Sequence, residues 1–274
     1  KGYKTAHFGK WHLNGLKGPG VPILKEDNHS PESFGFDYWI STTNFFDLNP
    51  MLSQMGEFID FKGSSSEIIV NESLKFIEKV HSSESPFFII IWDGSPHDPF
   101  LASEEDKKQF KSLDKESQNH YGEIVAFDRS IGALRKRLRD LGVSENTLLW
   151  FCSDNGGLDK GISPSTVGGL KGFKGSMWEG GLRVPSIIEW PSMIKPKKTN
   201  YPASTMDIFP TIAEIVGLPD SQILNPIDGV SIVPVFNSKI KKRESKIPFR
   251  LKDKGALIDN HMKLLAHSIT NKNF

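Results

Sequence analysis

Three segments that read as short strands in this sequence are each followed at once by a short polar segment, and the side chains there are of complementary kinds. Lys10 and His12 follow Thr5–Gly9; Asp93, His97 and Asp98 follow Phe87–Trp92; Ser153, Asp154, Asn155, Gly156 and Gly157 follow Thr147–Cys152. If the strands belong to an open α/β sheet, these residues lie beyond the carboxyl ends, where such sheets bind ligands. Lys10 and His12 are two apart and share one face of an extended chain. They offer an anionic substrate a fixed positive charge and a hydrogen-bond donor or proton carrier. Asp154 and Asn155 offer a carboxylate and an amide oxygen to a hard cation such as Ca²⁺ or Mg²⁺. Each segment also has a plain structural reading: Asp-Asn-Gly-Gly is an ordinary turn, and Lys10 and His12 fit a surface lysine and a half-buried histidine. His7 and His12 lack a third ligand at zinc spacing. His97 is pinned in Ser95-Pro96-His97-Asp98-Pro99 by prolines that reduce loop entropy. Between Lys171 and Pro185, four glycines accompany Lys171, Lys174, Glu179 and Arg183. Such a loop can bring backbone amides and an ammonium to an oxyanion, although it lacks the Gly-x₄-Gly-Lys-Ser/Thr of a P-loop. Glu179 and Arg183 read as an internal ion pair.

The elements that must position these residues follow from periodicity. Apolar residues at Val70, Leu74, Ile77 and Val80 predict a helix over 67–80. Phe87–Trp92 is apolar on both faces, as in the middle of a parallel sheet. The clearest helix spans 118–141, with Ile124, Phe127, Ile131, Leu134, Leu138 and Leu141 on one stripe and Gly142 as its stop. Strands are expected over 147–152 and 185–190, then a helix over 206–216 with Ser204 and Asp207 as a capping pair. The segment 14–50 is rich in Gly, Pro, Asn and Ser, with Phe34, Phe36, Tyr38, Trp39, Phe45 and Phe46 interspersed. It reads as ordered, irregular and packed on the body. Residues 239–254 carry eight Lys/Arg against two acids and read as a solvated surface loop. Residues 256–266 read as a hairpin around Asn260.

The 274 residues are 37% apolar, with a net charge of +1. That composition supports a substantial core and excludes a disordered chain. It also argues against general binding to nucleic acid or anionic membranes. No apolar run reaches the length of a membrane span. The lone Cys152 excludes an internal disulfide and a cysteine-based zinc cluster, and reads as a small buried strand residue.

Together these segments resemble the sulfatase family. Gly2-Tyr3-x-Thr5-x-x-x-Gly9-Lys10-Trp11-His12-Leu13 is similar to the family's second signature. Ser-Pro-His97-Asp-Pro, Ser-Asp154-Asn155-Gly and Lys174-Gly-Ser-Met-Trp-Glu-Gly-Gly-Leu-Arg-Val-Pro follow in family order. So do Thr205-Met-Asp-Ile-Phe-Pro-Thr211 and Asp228-Gly-Val-Ser231. At Leu13-Asn14-Gly15 a glycine usually follows the leucine directly, which implies a small loop adjustment. The resemblance implies an alkaline-phosphatase-like α/β fold: a mainly parallel sheet flanked by helices, with a small C-terminal antiparallel hairpin. It implies a catalytic domain over 1–236, lacking its N-terminal part, and the start of an incomplete C-terminal subdomain over 237–274. It also implies one Ca²⁺ ion, with Asp154 and Asn155 among its ligands, and hydrolysis of sulfate monoesters of a carbohydrate or aryl alcohol. Lys10 and Lys174 would bind sulfate oxygens. His97 would contact sulfate and assist the leaving alcohol, with Lys174 supplying its proton. His12 would act as base on the covalent sulfo-enzyme intermediate. The family's formylglycine, made in a Cys-x-Pro-x-Arg segment, and its paired N-terminal aspartates normally precede the second signature, which here opens the chain. A truncated sulfatase is therefore expected, inactive as this chain alone. The alternatives are a phosphodiesterase or phosphonate hydrolase of the same superfamily, or an inactive fragment that binds sulfated ligands. The family resemblance implies a periplasmic, secreted or lysosomal setting. Oligomeric state is not legible.

Overall fold

The computed structural model describes residues 1–15, 18, 20–44, 47–237 and 239–267. Phe45 and Phe46, two of the aromatics singled out above, lie outside the described residues. The chain forms two compact units: residues 1–143 with 161–163, and residues 144–160 with 164–274.

Unit 1 is built on five strands: β1 (Lys4–Lys10), β2 (Tyr38–Thr42), β3 (Met51–Gln54), β4 (Glu57–Asp60) and β5 (Phe87–Trp92). Their order is β4-β3-β2-β1-β5. β1 is parallel to both β2 and β5, whereas β3 and β4 add antiparallel at one edge. The sheet is mixed, and its parallel part carries the candidate residues. Alternation along β1 sends Ala6 and Phe8 to one face, where they pack with Ile40, Leu52, Ile68 and Ile69. A second apolar cluster joins Trp11, Ile23 and Trp39. Tyr38 and Trp39 thus serve packing, as the irregular-segment reading holds, but their stretch is a central strand. Its signal was hidden because Ser41 and Thr42 are buried polar residues, satisfied by His7 Nδ1 at 2.7 Å and the Val21 carbonyl at 3.0 Å.

Helix α1 (Ser65–His81) lies on this sheet. A short helix α2 (Glu104–Lys107) precedes α3 (Lys115–Asp140). Ser103 caps α2 and Asp114 caps α3, each accepting a backbone N–H of the first turn. Arg129 and Arg137 of α3 pair with Glu67 and Glu78 of α1, both at 2.7 Å. The apolar stripe expected to be the buried face of α3 is only partly so. Ile124 is exposed, while Asn119, His120, Glu123 and Ser130 are buried. The reason is steric: Gly122 sits against Ala102 and the α2 backbone, which turns the polar side of the first turns inward.

Unit 2 pairs β6 (Leu149–Cys152) with β7 (Ser186–Glu189) in antiparallel register, with α4 (Glu179–Leu182) between them in the chain. Helices α5 (Ile208–Ile215) and α6 (Val233–Phe236) follow. Ile232, Val235 and Phe236 gather Trp150, Ile188, Trp190 and Ile215 into its core. Ser204 and Asp207 form the expected capping box. The C-terminal sheet has three antiparallel strands, β8 (Ile247–Leu251), β9 (Lys254–Asp259) and β10 (Met262–Ala266), one more than the hairpin expected. The solvated-loop reading of 239–254 is corrected on two counts: the stretch contains β8, and Arg243 is buried against Asp207. Arg243 Nη1 and Nη2 meet the two Asp207 carboxylate oxygens at 2.6 and 2.9 Å, with both side chains essentially out of solvent. Asn260 clamps the Arg243 backbone from the β9–β10 turn, accepting its N–H and donating to its carbonyl, both at 2.9 Å.

Candidate active site

In unit 1, β1 and β5 run parallel with Gly9 opposite Trp92, so the residues that follow them emerge at the same sheet edge. Lys10 is the last residue of β1 and half-buried. Trp11 leaves the strand into the core, donating its indole N–H to the His29 carbonyl at 2.5 Å and stacking on Trp92 at 5.9 Å. His12 then takes a positive φ of 50° and is exposed. The two-residue alternation expected to align Lys10 with His12 therefore ends at Lys10, and the buried Trp11 anchor is what sets His12 outward. His7 belongs to the packing. Its ring meets Trp11, Phe36 and Trp92 edge-on at 4.8, 5.6 and 5.0 Å, and burial pushes its imidazole down to about 3, so it stays neutral.

His97 lies in the irregular segment between β5 and α2, half-buried, with Nδ1 2.7 Å from the Asp98 carbonyl oxygen. A carbonyl can only accept, so Nδ1 carries the hydrogen and the neutral ring has its lone pair on Nε2. Around this segment stand carboxyl groups of which two, Asp47 and Glu123, are not evident from the sequence. Burial and the charges of Asp93 and Asp98 push Asp47 up to about 7. Burial pushes Asp93 up to about 6 against the hydrogen bonds it accepts from Ser95, Ser66 and Gly94. Glu123 is pushed up to about 9 by burial, then by Asp47 and Asp93. A glutamate at the buried face of a helix is the signal that could have found it, but the apolar stripe pointed to the wrong face.

In unit 2, Asp154 is exposed and Asn155 half-buried in the turn after β6, with Ser153 Oγ donating to the Asn155 carbonyl at 2.9 Å. Backbone bonds stitch this turn to the Lys174 loop: Lys174 N–H donates to the Gly157 carbonyl at 2.9 Å, and Gly156 N–H to the Gly181 carbonyl at 3.1 Å. A β-carbon on Gly156 would run into the Gly180 carbonyl, and one on Gly180 into the Gly172 carbonyl, so the glycines are needed for close approach. Lys174 is exposed. Lys171 Nζ sits 3.7 Å from the Trp178 ring centroid, a cation–π contact. Glu179 does not pair with Arg183; its carboxylate takes Lys263 Nζ of β10 at 2.7 Å, and Arg183 meets Glu179 only by backbone. Cys152 is half-buried on β6, and burial with the nearby Asp154 charge raises its thiol above the ordinary range. The structure thus brings Lys10, His12 and His97 to one edge of unit 1, and Asp154, Asn155 and Lys174 into one backbone-bonded assembly of unit 2.

Residues 1–218 match the family model for sulfatases. The chain belongs to the sulfatase family. It is 28% identical over 257 residues to the Escherichia coli K12 sulfatase YdeN, covering 87% of this chain and 45% of that protein. It is 29% identical to an ulvan-active sulfatase of Formosa agariphila, covering 84% and 46%, and to the N-acetylgalactosamine-6-sulfatase of Mus musculus, covering 86% and 46%. The chain spans about half the length of the curated relatives it matches. Among solved structures, Ps i-CgsB aligns with a TM-score of 0.81 at 26% identity, over 96% of this chain and 62% of that one. Ps i-CgsB has also been solved in complex with k-i-k-neocarrahexaose. The alkaline-phosphatase-like fold expected of a sulfatase is therefore the fold of this chain.

The donor set of Asp154 and Asn155, one carboxylate and one amide oxygen, suits a hard cation, but a Ca²⁺ ion takes six to eight oxygens. Among the described residues no group of three or more His, Cys, Asp or Glu side chains is placed to hold a metal ion. No described helix is long and apolar enough to cross a membrane.

Proposed function

We propose that this sulfatase chain supplies charge-stabilising and acid–base groups for hydrolysis of sulfate monoesters, R–OSO₃⁻ + H₂O giving R–OH and HSO₄⁻. Its nucleophile, a formylglycine, is assigned to residues outside these 274. The observation that carries the reading is the pairing of family membership with His97 held in one tautomer in the segment that follows β5, the parallel neighbour of the strand that leads to Lys10 and His12. Cleavage of the bond to the alcohol builds negative charge on the leaving oxygen and on the sulfate oxygens. Lys10 and Lys174 are assigned to the sulfate oxygens as fixed positive charges. His97 is assigned to the leaving oxygen, where protonation of the Nε2 lone pair gives an imidazolium N–H that neutralises developing charge, with Lys174 supplying the proton. His12, exposed at the strand end, is assigned the base role. Asp154 and Asn155 would contribute two oxygens to a Ca²⁺ ion, which when bound supplies electrophilic stabilisation of sulfate. The substrate class proposed is a sulfated carbohydrate, supported by relatives named for ulvan and N-acetylgalactosamine-6-sulfate.

The test is hydrolysis of an aryl sulfate, an aryl phosphate diester and sulfated sugars by a full-length protein carrying a Cys-x-Pro-x-Arg segment. Sulfate turnover should exceed phosphate turnover, and K10A or H97A should lower kcat by about 100-fold or more, the scale of losing a charge-stabilising or acid–base group. Faster phosphate turnover would favour the phosphodiesterase reading. The 274-residue chain alone should show no multiple turnover; if it does, the nucleophile lies within it.

A further inference from the structure

We propose that Glu123 is a positioning residue for His97, fixing the far end of its loop by accepting the Leu101 N–H on a buried helical carboxyl group. The role rests on the sulfatase reading of His97, but the tether is visible without it. The segment between β5 and α2 has no regular structure of its own, so its shape depends on what its ends are tied to. Leu101 N–H donates to Glu123 Oε1. Asn119, one turn earlier on α3, accepts Ala102 N–H at 3.2 Å. From the other side Asp93 accepts Ser95 N–H at 2.9 Å and the Ser66 hydroxyl of α1 at 3.0 Å, and the Ser65 hydroxyl lies 3.4 Å from that of Ser95. The segment is thus tied on one flank of His97 to Asp93 and on the other to Glu123 and Asn119, both fixed in a helix.

Glu123 acts in this tether as the neutral acid. It is 3% exposed, and its Oε2 has no hydrogen-bond partner among the described residues. The carboxyl groups facing it are Asp47 and Asp93, with Asp98 facing Asp47 in turn. Among the described residues, no cation lowers Asp47, Asp93 or Glu123 against this burial. His120, one turn before on α3 and against Phe100, is pushed down to about 4 by burial and is neutral. On α2, Lys107 is engaged by Glu104, and Asp106 by Arg129. From α1 come the hydroxyls of Ser65 and Ser66. Several buried negative charges without a counter-charge are far costlier than one held proton. Protonation leaves Oε1 able to accept from Leu101, so the tether survives it.

Glutamine reproduces the neutral acid, and that separates this role from bulk packing. In the full-length enzyme on an aryl sulfate, E123A should lower kcat about 10- to 100-fold with little change in KM, the cost of displacing a reacting group by a fraction of an ångström to about one. E123Q should keep kcat within about threefold, because it retains the acceptor and misplaces nothing. E123Q should also lose the fall in kcat near pH 9 that ionisation of Glu123 imposes on the wild type by placing an uncompensated buried charge beside Asp47 and Asp93 and loosening the segment. Wild-type kcat in E123A, an E123Q as damaged as a folded E123A, or an unchanged alkaline limb in E123Q would each overturn the proposal. If E123A does not fold, the E123Q profile decides. If the wild type turns over no sulfate ester, the sulfatase reading fails, and amide hydrogen exchange on this chain still tests the tether. Leu101 should then exchange at least about tenfold faster in E123A than in E123Q, as local opening requires; equal rates would overturn it.

Discussion

The segment that bears His97 and the loop that bears Lys174 are both irregular, yet they are held by opposite means. In unit 1 the His97 segment hangs on side chains: Asp93, Glu123, Asn119 and the α1 serines supply its acceptors and hydroxyls. In unit 2 the Lys174 loop is tied backbone to backbone, with glycines where chains touch. The first kind of anchoring is sensitive to protonation and tolerant of small changes in volume. The second ignores pH and rejects a single added carbon. Two loops assigned to one reaction can therefore be perturbed independently.

The largest effect should come from the exception to this rule, the side-chain pair at the base of unit 2. Removing Arg243 (R243M) leaves the Asp207 carboxylate buried without its partner and should cost about 3–5 kcal/mol in chemical denaturation. A loss under about 1 kcal/mol would mean that unit 2 does not depend on side-chain tethers at all. Next, G156A should cost about 2–3 kcal/mol and raise amide exchange at Lys174, because the β-carbon collides with the Gly180 carbonyl rather than with a movable side chain. The same change at exposed Gly132 of α3, with open space around it, should be neutral or stabilising by about 0.5–1 kcal/mol.

The carboxyl-based pH response should arise in unit 1. Asp47, Asp93 and Glu123 hold their protons more tightly folded than unfolded, with folded values of about 7, 6 and 9. The folded state then binds more protons across that window, so their contribution is full below the ordinary carboxylate range and is lost as pH rises toward 9. The thermal midpoint should fall from about pH 7 to about pH 9, above the range in which the buried neutral His7 and His120 act in the opposite sense, and E123Q should flatten the upper part of the fall. A midpoint that rises over that range would show that a cation neutralises the cluster. The smallest effect is expected at E67Q. It breaks a largely exposed pair with Arg129, should cost less than about 1 kcal/mol, and should leave both loops unchanged.

What could be read beforehand divides along the same line. Strands β5, β6 and β7 are legible because apolar runs mark them, β1 because Ala6 and Phe8 alternate ahead of a polar loop, and so are Gly142 as the stop of α3 and the Ser204–Asp207 cap. Strand β2 is not, because Ser41 and Thr42 replace apolar residues with satisfied polar ones. The inward face of α3 was misjudged because Gly122, a residue with no hydropathy signal, decides which side can approach α2. The positions of Lys10, His97, Asp154 and Lys174 were legible as strand-end or loop residues, since short motifs fix them locally. Asp47 and Glu123 were not: they reach the His97 segment from distant parts of the chain, and only packing makes them neighbours. Arg243 was hidden in the same way, one cation among eight in a run that looked solvated.

The Asp207–Arg243 pair also has a consequence in time. Its partners are 36 residues apart, and Arg243 is itself gripped by Asn260, 17 residues further on. During synthesis at about 5–20 residues per second, Asp207 emerges on the order of seconds before the guanidinium that neutralises it. In that interval the capping bond to Ser204 N–H and the bond from Val230 N–H, both 2.8 Å in the finished structure, are its available local acceptances. The C-terminal sheet can lock onto α5 only once Arg243 and then Asn260 have been made. Unit 2 therefore has a built-in order of assembly, in which the hairpin turn of the last strands completes a site that the helix cap begins.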